Sequence, residues 1–120
     1  MRKEKLKKYY VYTLVDPRTN KVFYIGKGVH NRMYNHEFAV RSNSWDGNTE
    51  KCKLIKEIID SGNKIIYNKP YSNLSEEDAF TKEKELISKY GLSNLTNIKP
   101  GSSQFRKYIK RALEDFFSNF

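Results

Sequence analysis

Two aromatic and β-branched segments separated by a short turn-forming stretch constrain the fold of this chain more than any other feature. Residues 9–15 (YYVYTLV) and 22–25 (VFYI) have the composition of β-strands. The stretch between them, 16–20 (DPRTN), is rich in residues that favour turns. Because so short a connection joins only antiparallel neighbours, the sequence predicts a β-hairpin.

The alternation of side chains along this hairpin predicts which residues share a face. With a period of two, Tyr10, Tyr12 and Leu14 lie on one face of the first strand, and Val22 and Tyr24 share a face of its partner. Any single tyrosine here is well explained as an ordinary strand aromatic. Tyrosines on facing strands beside a Gly-Lys-Gly turn form a less ordinary set.

The rest of the chain is predicted to contain helices and one more short strand, which together make a small α+β domain. Its sheet is expected to be three-stranded and antiparallel, built from the hairpin plus one strand and flanked by helices. Residues 68–73, around Pro70, are predicted as a turn-rich loop. The predicted elements are helices over 31–41, 49–60 and 75–90, a strand over 64–67 and an amphipathic C-terminal helix over 102–120.

Composition limits the classes of function. Among 120 residues, 23 are Lys or Arg and 14 are Asp or Glu, so the net charge is +9. Such a surplus favours an anionic partner, nucleic acid first and an acidic membrane surface second. One cysteine and two histidines exclude an internal disulfide and a structural zinc cluster. Short apolar runs give no sign of a membrane span. We expect a basic arm over 1–8, a domain over 9–98 and the added helix over 99–120.

One acidic residue stands out in the helix predicted over 75–90. Glu83 falls within the apolar stripe, four residues after Ala79 and three before Leu86. A carboxylate on an inward face is costly unless it is paired. It is either part of a buried ion pair with Arg32 or a lysine, or a ligand for a divalent cation, and position alone favours neither.

Two basic features lie between the hairpin and the second helix. Arg32 and His36 are four residues apart and share a helix face, which suits binding of phosphate and movement of a proton. For an isolated pair, a solvent-facing basic helix is the commoner explanation. The Gly-Lys-Gly turn at 26–28 allows close approach of an anion, but it lacks the spacing of a phosphate-binding P-loop.

These fragments together resemble the GIY-YIG nuclease superfamily over residues 9–98. The triplets at 10–12 (YVY) and 24–26 (YIG) are separated by eleven residues and resemble its paired motif, although the first lacks the glycine. The run at 24–36, with Lys27 directly after the second triplet, is most similar to stand-alone members. Other matching positions are Arg32, His36, Glu83 and Asn94, and Asn97 competes with Asn94 for the asparagine position.

The resemblance implies a metal-dependent endonuclease that hydrolyses phosphodiester bonds of DNA, with RNA left open. It implies that Glu83 binds one Mg²⁺ or Mn²⁺, that Arg32 stabilises charge on the phosphate, and that Tyr12, with Tyr24 nearby, orients or deprotonates the attacking water. Whether Lys27, His36 or the metal assists Tyr12 stays open. The implied catalytic residues are Tyr12, Tyr24, Lys27, Arg32, His36, Glu83 and Asn94, and the expected nucleic-acid contacts are Lys27, Arg32, Arg41, Arg106 and Lys110.

Two other functions remain compatible with the sequence. One is a nucleic-acid-binding module with an inactive nuclease-like core. The other is a small basic interaction protein that uses the helix at 102–120, although closure of the core explains that helix better. We expect no membrane partner, a monomer or a homodimer, and a cytoplasmic location in a bacterial, phage or mobile-element setting.

Overall fold

A computed structural model describes residues 7–98 as a three-stranded antiparallel sheet with helices on both faces, which confirms the predicted α+β fold. Most of the predicted basic arm, and the whole predicted C-terminal helix with Arg106 and Lys110, lie outside the described residues. Within them, 3₁₀ turns cover Arg32–Tyr34 and Leu92–Asn94. The strands are β1 (Tyr9–Asp16), β2 (Lys21–Gly28) and β3 (Ile66–Leu74), and the helices are α1 (Asn35–Arg41), α2 (Thr49–Asp60) and α3 (Glu76–Tyr90).

Strand β1 is the centre of the sheet and pairs with β2 on one side and β3 on the other. The predicted hairpin of β1 and β2 is confirmed. Its turn closes through the Asn20 N–H, which donates to the Asp16 carbonyl at 2.8 Å. The register places Tyr12 opposite Gly26 and Leu14 opposite Tyr24.

A register shift after Leu14 corrects one predicted face. Val15 pairs with Val22 although Leu14 pairs with Tyr24, so β2 carries an extra residue at this point. As a result Val22 packs against one face of the sheet, whereas Tyr24 packs against the other. The prediction that Val22 and Tyr24 share a face was wrong because a bulge breaks the two-residue period.

Strand β3 corrects the prediction of a loop at 68–73. The strand runs through this segment, and its register with β1 shifts on either side of Val11. Pro70 has no direct partner in this irregular pairing. Because β3 is at the edge of the sheet, a residue without an N–H is tolerated there.

The sheet separates two clusters of buried side chains. Helices α1 and α2 cover the face that carries Tyr10, Tyr12 and Leu14, as predicted for these residues. Helix α3 covers the opposite face. Its N-terminus is capped as the sequence predicts, since the Ser75 hydroxyl accepts from the Asp78 N–H at 3.1 Å. Among the described residues, no helix is long and apolar enough to cross a membrane.

Candidate active site

The outer edge of β2 is hydrogen-bonded to the segment that follows α3. Asn97 accepts from the Ile25 N–H at 3.1 Å and donates to the Ile25 carbonyl at 2.8 Å. Next to it, the Thr96 N–H donates to the Phe23 carbonyl at 2.7 Å. These bonds hold the strand up to Ile25. The segment that follows, 26–28, is where the candidate site residues meet.

Gly26 allows the Tyr12 phenol to lie against the backbone of β2. A Cβ atom at Gly26 would come within 2.5 Å of the Tyr12 hydroxyl oxygen. The Tyr12 side chain starts from the central strand, is only 2% exposed, and lies across Gly26 because no side chain projects from that residue. The glycine of the second motif is therefore needed for close approach rather than for an unusual backbone conformation.

Helix α1 brings His36 to the Tyr12 phenol. The Tyr12 hydroxyl oxygen and His36 Nε2 are 2.5 Å apart, which is hydrogen-bond distance. The Tyr24 ring packs 4.7 Å from the imidazole and 6.3 Å from the Tyr12 ring, measured between centroids. Three residues singled out from the sequence thus come together at the β2 edge.

Burial keeps both partners of this hydrogen bond neutral. It raises the pKa of the Tyr12 phenol above its ordinary value, with a smaller contribution from Tyr24, whereas the positive charge of Arg32 acts to lower it. Burial, reinforced by the charge of Lys51, lowers the pKa of His36 to about 3. At neutral pH the pair is a phenol and a neutral imidazole.

Behind His36 lies an ion pair between a buried lysine and an exposed aspartate, neither of which was selected from the sequence. Lys51 Nζ is 2.8 Å from His36 Nδ1 and 2.5 Å from Asp46 Oδ2. Lys51 stands four residues before Ile55 and seven before Ile58, in the apolar stripe of α2. A charged residue within an apolar stripe is the same signal that identified Glu83, and it could have identified Lys51.

Arg32 lies beside the site because Tyr10 fixes the chain that leads to it. The Tyr10 hydroxyl donates to the His30 carbonyl at 2.8 Å and accepts from the Met33 N–H at 3.0 Å. Tyr10 occupies the position of the missing glycine in the first motif. The Arg32 stem crosses Gly28, where a Cβ atom would be 2.6 Å from Arg32 Cγ. Its guanidinium is exposed, and its charge acts on both Tyr12 and His36.

Glu83 approaches the same edge from the opposite face of the sheet. It is half-buried on α3, and burial raises the pKa of its carboxyl group. The Lys27 ammonium and the Lys27 main-chain N–H both act to lower that pKa, so the carboxylate lies beside the backbone that follows Gly26. Its charge also acts on the Tyr12 phenol. Helix α3 lies on the face of the sheet opposite to Tyr12 and Tyr24, but the Glu83 carboxylate reaches the β2 backbone beside which those tyrosines lie.

Two of the predicted DNA-binding residues pair with carboxylates away from Tyr12 and Tyr24. Lys27 Nζ is 3.6 Å from Glu76 Oε1 and lies 5.6 Å from the centroid of the Tyr9 ring, on the α3 side. Arg41 is exposed at the end of α1, and its Nε is 2.8 Å from Glu37 Oε2. Neither contacts the Tyr12 and His36 pair.

The structure separates the two candidate asparagines. The Asn94 side chain donates to the Tyr90 carbonyl at 2.9 Å, at the C-terminus of α3. It also lines a surface cavity with Asp16 and Lys21, near the hairpin turn. Asn97, by contrast, binds both main-chain groups of Ile25 next to Gly26. The structure therefore brings Asn97 to the site strand and not Asn94, which the sequence context had favoured.

A divalent ion would be held mainly by groups outside the chain. Within residues 7–98, no group of three or more His, Cys, Asp or Glu side chains is placed to bind a metal ion. A single carboxylate such as Glu83 nevertheless fits Mg²⁺, which keeps most of its waters and commonly binds one or two carboxylates plus a phosphate. The residues present fit an open site with one protein ligand.

Comparison with known proteins identifies the family. The model of the LEM-3-like GIY-YIG domain matches residues 9–112, beyond the 9–98 covered by the sequence resemblance. The Ankyrin repeat and LEM domain-containing protein 1 homolog of Caenorhabditis elegans is 30% identical over 111 residues, which cover 77% of this chain. The chain spans only 16% of that relative's length. No solved structure matches. The resemblance to the GIY-YIG superfamily is confirmed, and the chain belongs to the family of LEM-3-like GIY-YIG domains.

Proposed function

We propose that this domain is a metal-dependent endonuclease that hydrolyses DNA phosphodiester bonds at the end of β2, beside residues 26–28. Members of GIY-YIG nuclease families act on nucleic acids and generally depend on a divalent metal. The observation that carries the proposal is that four side chains meet around residues 26–28 although they come from different elements. Tyr12 comes from β1, His36 from α1, Arg32 from the 3₁₀ turn before α1, and Glu83 from α3.

Arg32 binds the scissile phosphate. Its stem is held across Gly28 while its guanidinium is exposed, so a phosphate reaches it from solvent without rearrangement. A planar guanidinium forms two parallel hydrogen bonds with phosphate oxygens and stabilises the charge that builds on them during hydrolysis.

Tyr12 and His36 orient the attacking water. The Tyr12 oxygen is fixed by its hydrogen bond to His36, and Tyr24 packs against the imidazole. A nucleophile held in line with the phosphorus atom contributes through positioning as well as through proton transfer.

Glu83 is the residue that would hold Mg²⁺ or Mn²⁺. When bound, such an ion neutralises phosphate charge and stabilises the leaving oxygen. Lys27, which lies beside Glu83, contacts the DNA backbone on the α3 side, and Arg41 contacts it on the α1 side. The net charge of +9 supports attraction to DNA before these contacts form.

The test is cleavage of labelled single- and double-stranded DNA and RNA with Mg²⁺ or Mn²⁺. The wild-type protein should cleave DNA, and a chelator should abolish cleavage. Glu83→Gln should reduce the rate by at least about 100-fold. Glu85→Gln is the matched control, since Glu85 is exposed on the same helix and pairs only weakly with Lys82 at 3.4 Å. Equal cleavage by both variants would reject the role of Glu83.

A second candidate function is DNA binding without turnover. The Lys27 charge acts to lower the Glu83 pKa but does not outweigh the effect of burial, so the carboxylate interacts with a cation of the chain itself. An inactive domain would bind DNA with strongly salt-dependent affinity. Binding that weakens with salt, without cleavage of any substrate under either ion, would favour this alternative.

A further inference from the structure

Lys51 is a buried cation that links α2 to the candidate site. Its side chain is 2% exposed, and its ammonium lies between Asp46 Oδ2 at 2.5 Å and His36 Nδ1 at 2.8 Å. The ammonium also lies 5.1 Å from the centroid of the Tyr24 ring. Burying an ammonium is costly unless its charge and its N–H groups find partners, and here Asp46 supplies the opposite charge.

The start of α2 fixes the position of this lysine. The Asn48 side chain caps the helix by accepting from the Lys51 N–H at 3.2 Å. The same side chain donates to the Thr96 carbonyl at 2.7 Å, and Thr96 is bonded to β2 at Phe23. Lys51 is therefore tied to the strand that carries the site, and its ammonium has little freedom to leave His36.

The direction of the Lys51 hydrogen bond determines the state of His36. An ammonium group only donates, so His36 Nδ1 must accept. In a neutral imidazole the other nitrogen then carries the proton, which makes Nε2–H the donor to the Tyr12 oxygen. The hydroxyl proton of Tyr12 therefore does not point at His36.

We propose that Lys51, anchored by Asp46, is a positioning residue that holds His36 as the Nε2–H tautomer and so makes it a hydrogen-bond donor to Tyr12. This inference rests on the proposed nuclease function for its catalytic meaning. In this arrangement His36 does not accept the Tyr12 proton. It donates to the Tyr12 oxygen instead and stabilises the phenolate that forms when the Tyr12 hydroxyl proton leaves to solvent. That phenolate then accepts a proton from the attacking water.

The direct test is the tautomer of His36 in the full chain. Long-range ¹H–¹⁵N correlation spectra distinguish the two neutral tautomers and the imidazolium. The chain has only two histidines, so the signals lost in His36→Ala identify this residue. We expect the Nε2–H form at pH 7. The Nδ1–H form or an imidazolium would overturn the inference. The spectrum requires no cleavage, so an inactive protein with the Nε2–H form would reject only the nuclease function.

Variants test whether Lys51 is responsible. Lys51→Met keeps the length of the side chain but removes the donor, and we expect a mixed tautomer population and a kcat lower by about 10- to 100-fold with KM within about threefold. Lys56→Met is the control, because Lys56 is exposed on the same helix and pairs with Asp60 at 3.0 Å. It should match the wild-type protein.

Combining variants separates positioning from a general loss of structure. In a His36→Ala background, Lys51→Met should lower kcat by no more than about twofold, since its effect passes through His36. Fully additive losses would overturn the inference. Should Lys51→Met fail to fold, Asp46→Asn keeps the lysine and loosens its anchor. A partial shift toward the Nδ1–H form is then expected, and an unchanged spectrum and rate would reject the anchoring role of Asp46.

Discussion

Gly26→Ala should damage the site by a displacement that can be read from the structure. The new Cβ atom would lie 2.5 Å from the Tyr12 hydroxyl oxygen, 2.6 Å from Cζ and 2.9 Å from Cε1. To restore an ordinary contact of 3.4 Å, the phenol must move by about 0.9 Å, and Tyr12 is packed on its other sides. A misplacement of about 1 Å costs about 100-fold in rate. Overpacking lowers the free energy of unfolding by about 1–3 kcal/mol.

The assay pairs DNA cleavage with urea unfolding. Gly47→Ala is the control, because a Cβ atom at Gly47 meets nothing within 4 Å. We expect Gly26→Ala to lose cleavage and stability while Gly47→Ala keeps both. If Gly26→Ala cleaved at the wild-type rate with an unchanged free energy of unfolding, the close approach of Tyr12 to β2 would be refuted.

Three further outcomes follow from contacts around the site. Burial lowers the pKa of His36 to about 3 in the folded chain, against about 6.5 when unfolded, so the unfolded chain binds a proton more readily. The stability that the neutral imidazole contributes is therefore fully present above pH 6.5. Between pH 6.5 and pH 3 the free energy of unfolding should fall by up to about 1.4 kcal/mol per pH unit. In His36→Gln, the free energy of unfolding measured with urea should depend less steeply on pH than in the wild-type protein. The same pH dependence in both proteins would contradict this. Asn97→Ala should lower the free energy of unfolding by about 1–3 kcal/mol because both main-chain groups of Ile25 lose a partner, whereas Asn94→Ala should cost less. Tyr10→Phe should lower the free energy of unfolding by about 1–3 kcal/mol, measured by calorimetry. It should also slow the initial rate of DNA cleavage, because the chain before Arg32 is held less firmly. Wild-type stability and cleavage by Tyr10→Phe would show that the two Tyr10 hydrogen bonds do not hold Arg32 in place.

The parts of the fold set by local sequence could be predicted. Turn residues at 16–20 gave the hairpin, and the apolar period gave α2 and α3, with Ser75 as cap. The failures share a physical cause, since each depended on a partner distant in sequence. Pro70 is tolerated only because β3 is an edge strand, and Val22 changes face because of a bulge against β1.

In the candidate site, too, local sequence indicated some residues, whereas others depended on partners distant in sequence. Spacing along the chain was enough to select Tyr12, Tyr24, Arg32, His36 and Glu83, which the fold brings to one edge. It did not indicate which of two asparagines binds β2: Asn94 ends a 3₁₀ turn and binds the Tyr90 carbonyl, whereas Asn97 lies beyond that turn and binds Ile25. The place of Lys51 in the apolar stripe of α2 could have been read from the sequence, but its contact with His36 could not, because His36 lies on another helix.

The central claim is that the Tyr12 hydroxyl takes part in hydrolysis, and Tyr12→Phe tests it by removing one oxygen atom. The ring that packs in the core remains, and loss of the hydrogen bond to His36 should lower the free energy of unfolding by about 1–3 kcal/mol. The rate of DNA cleavage with Mg²⁺ or Mn²⁺ should fall by at least about 100-fold while DNA affinity is kept. A folded Tyr12→Phe protein that cleaves DNA at the wild-type rate would contradict the account.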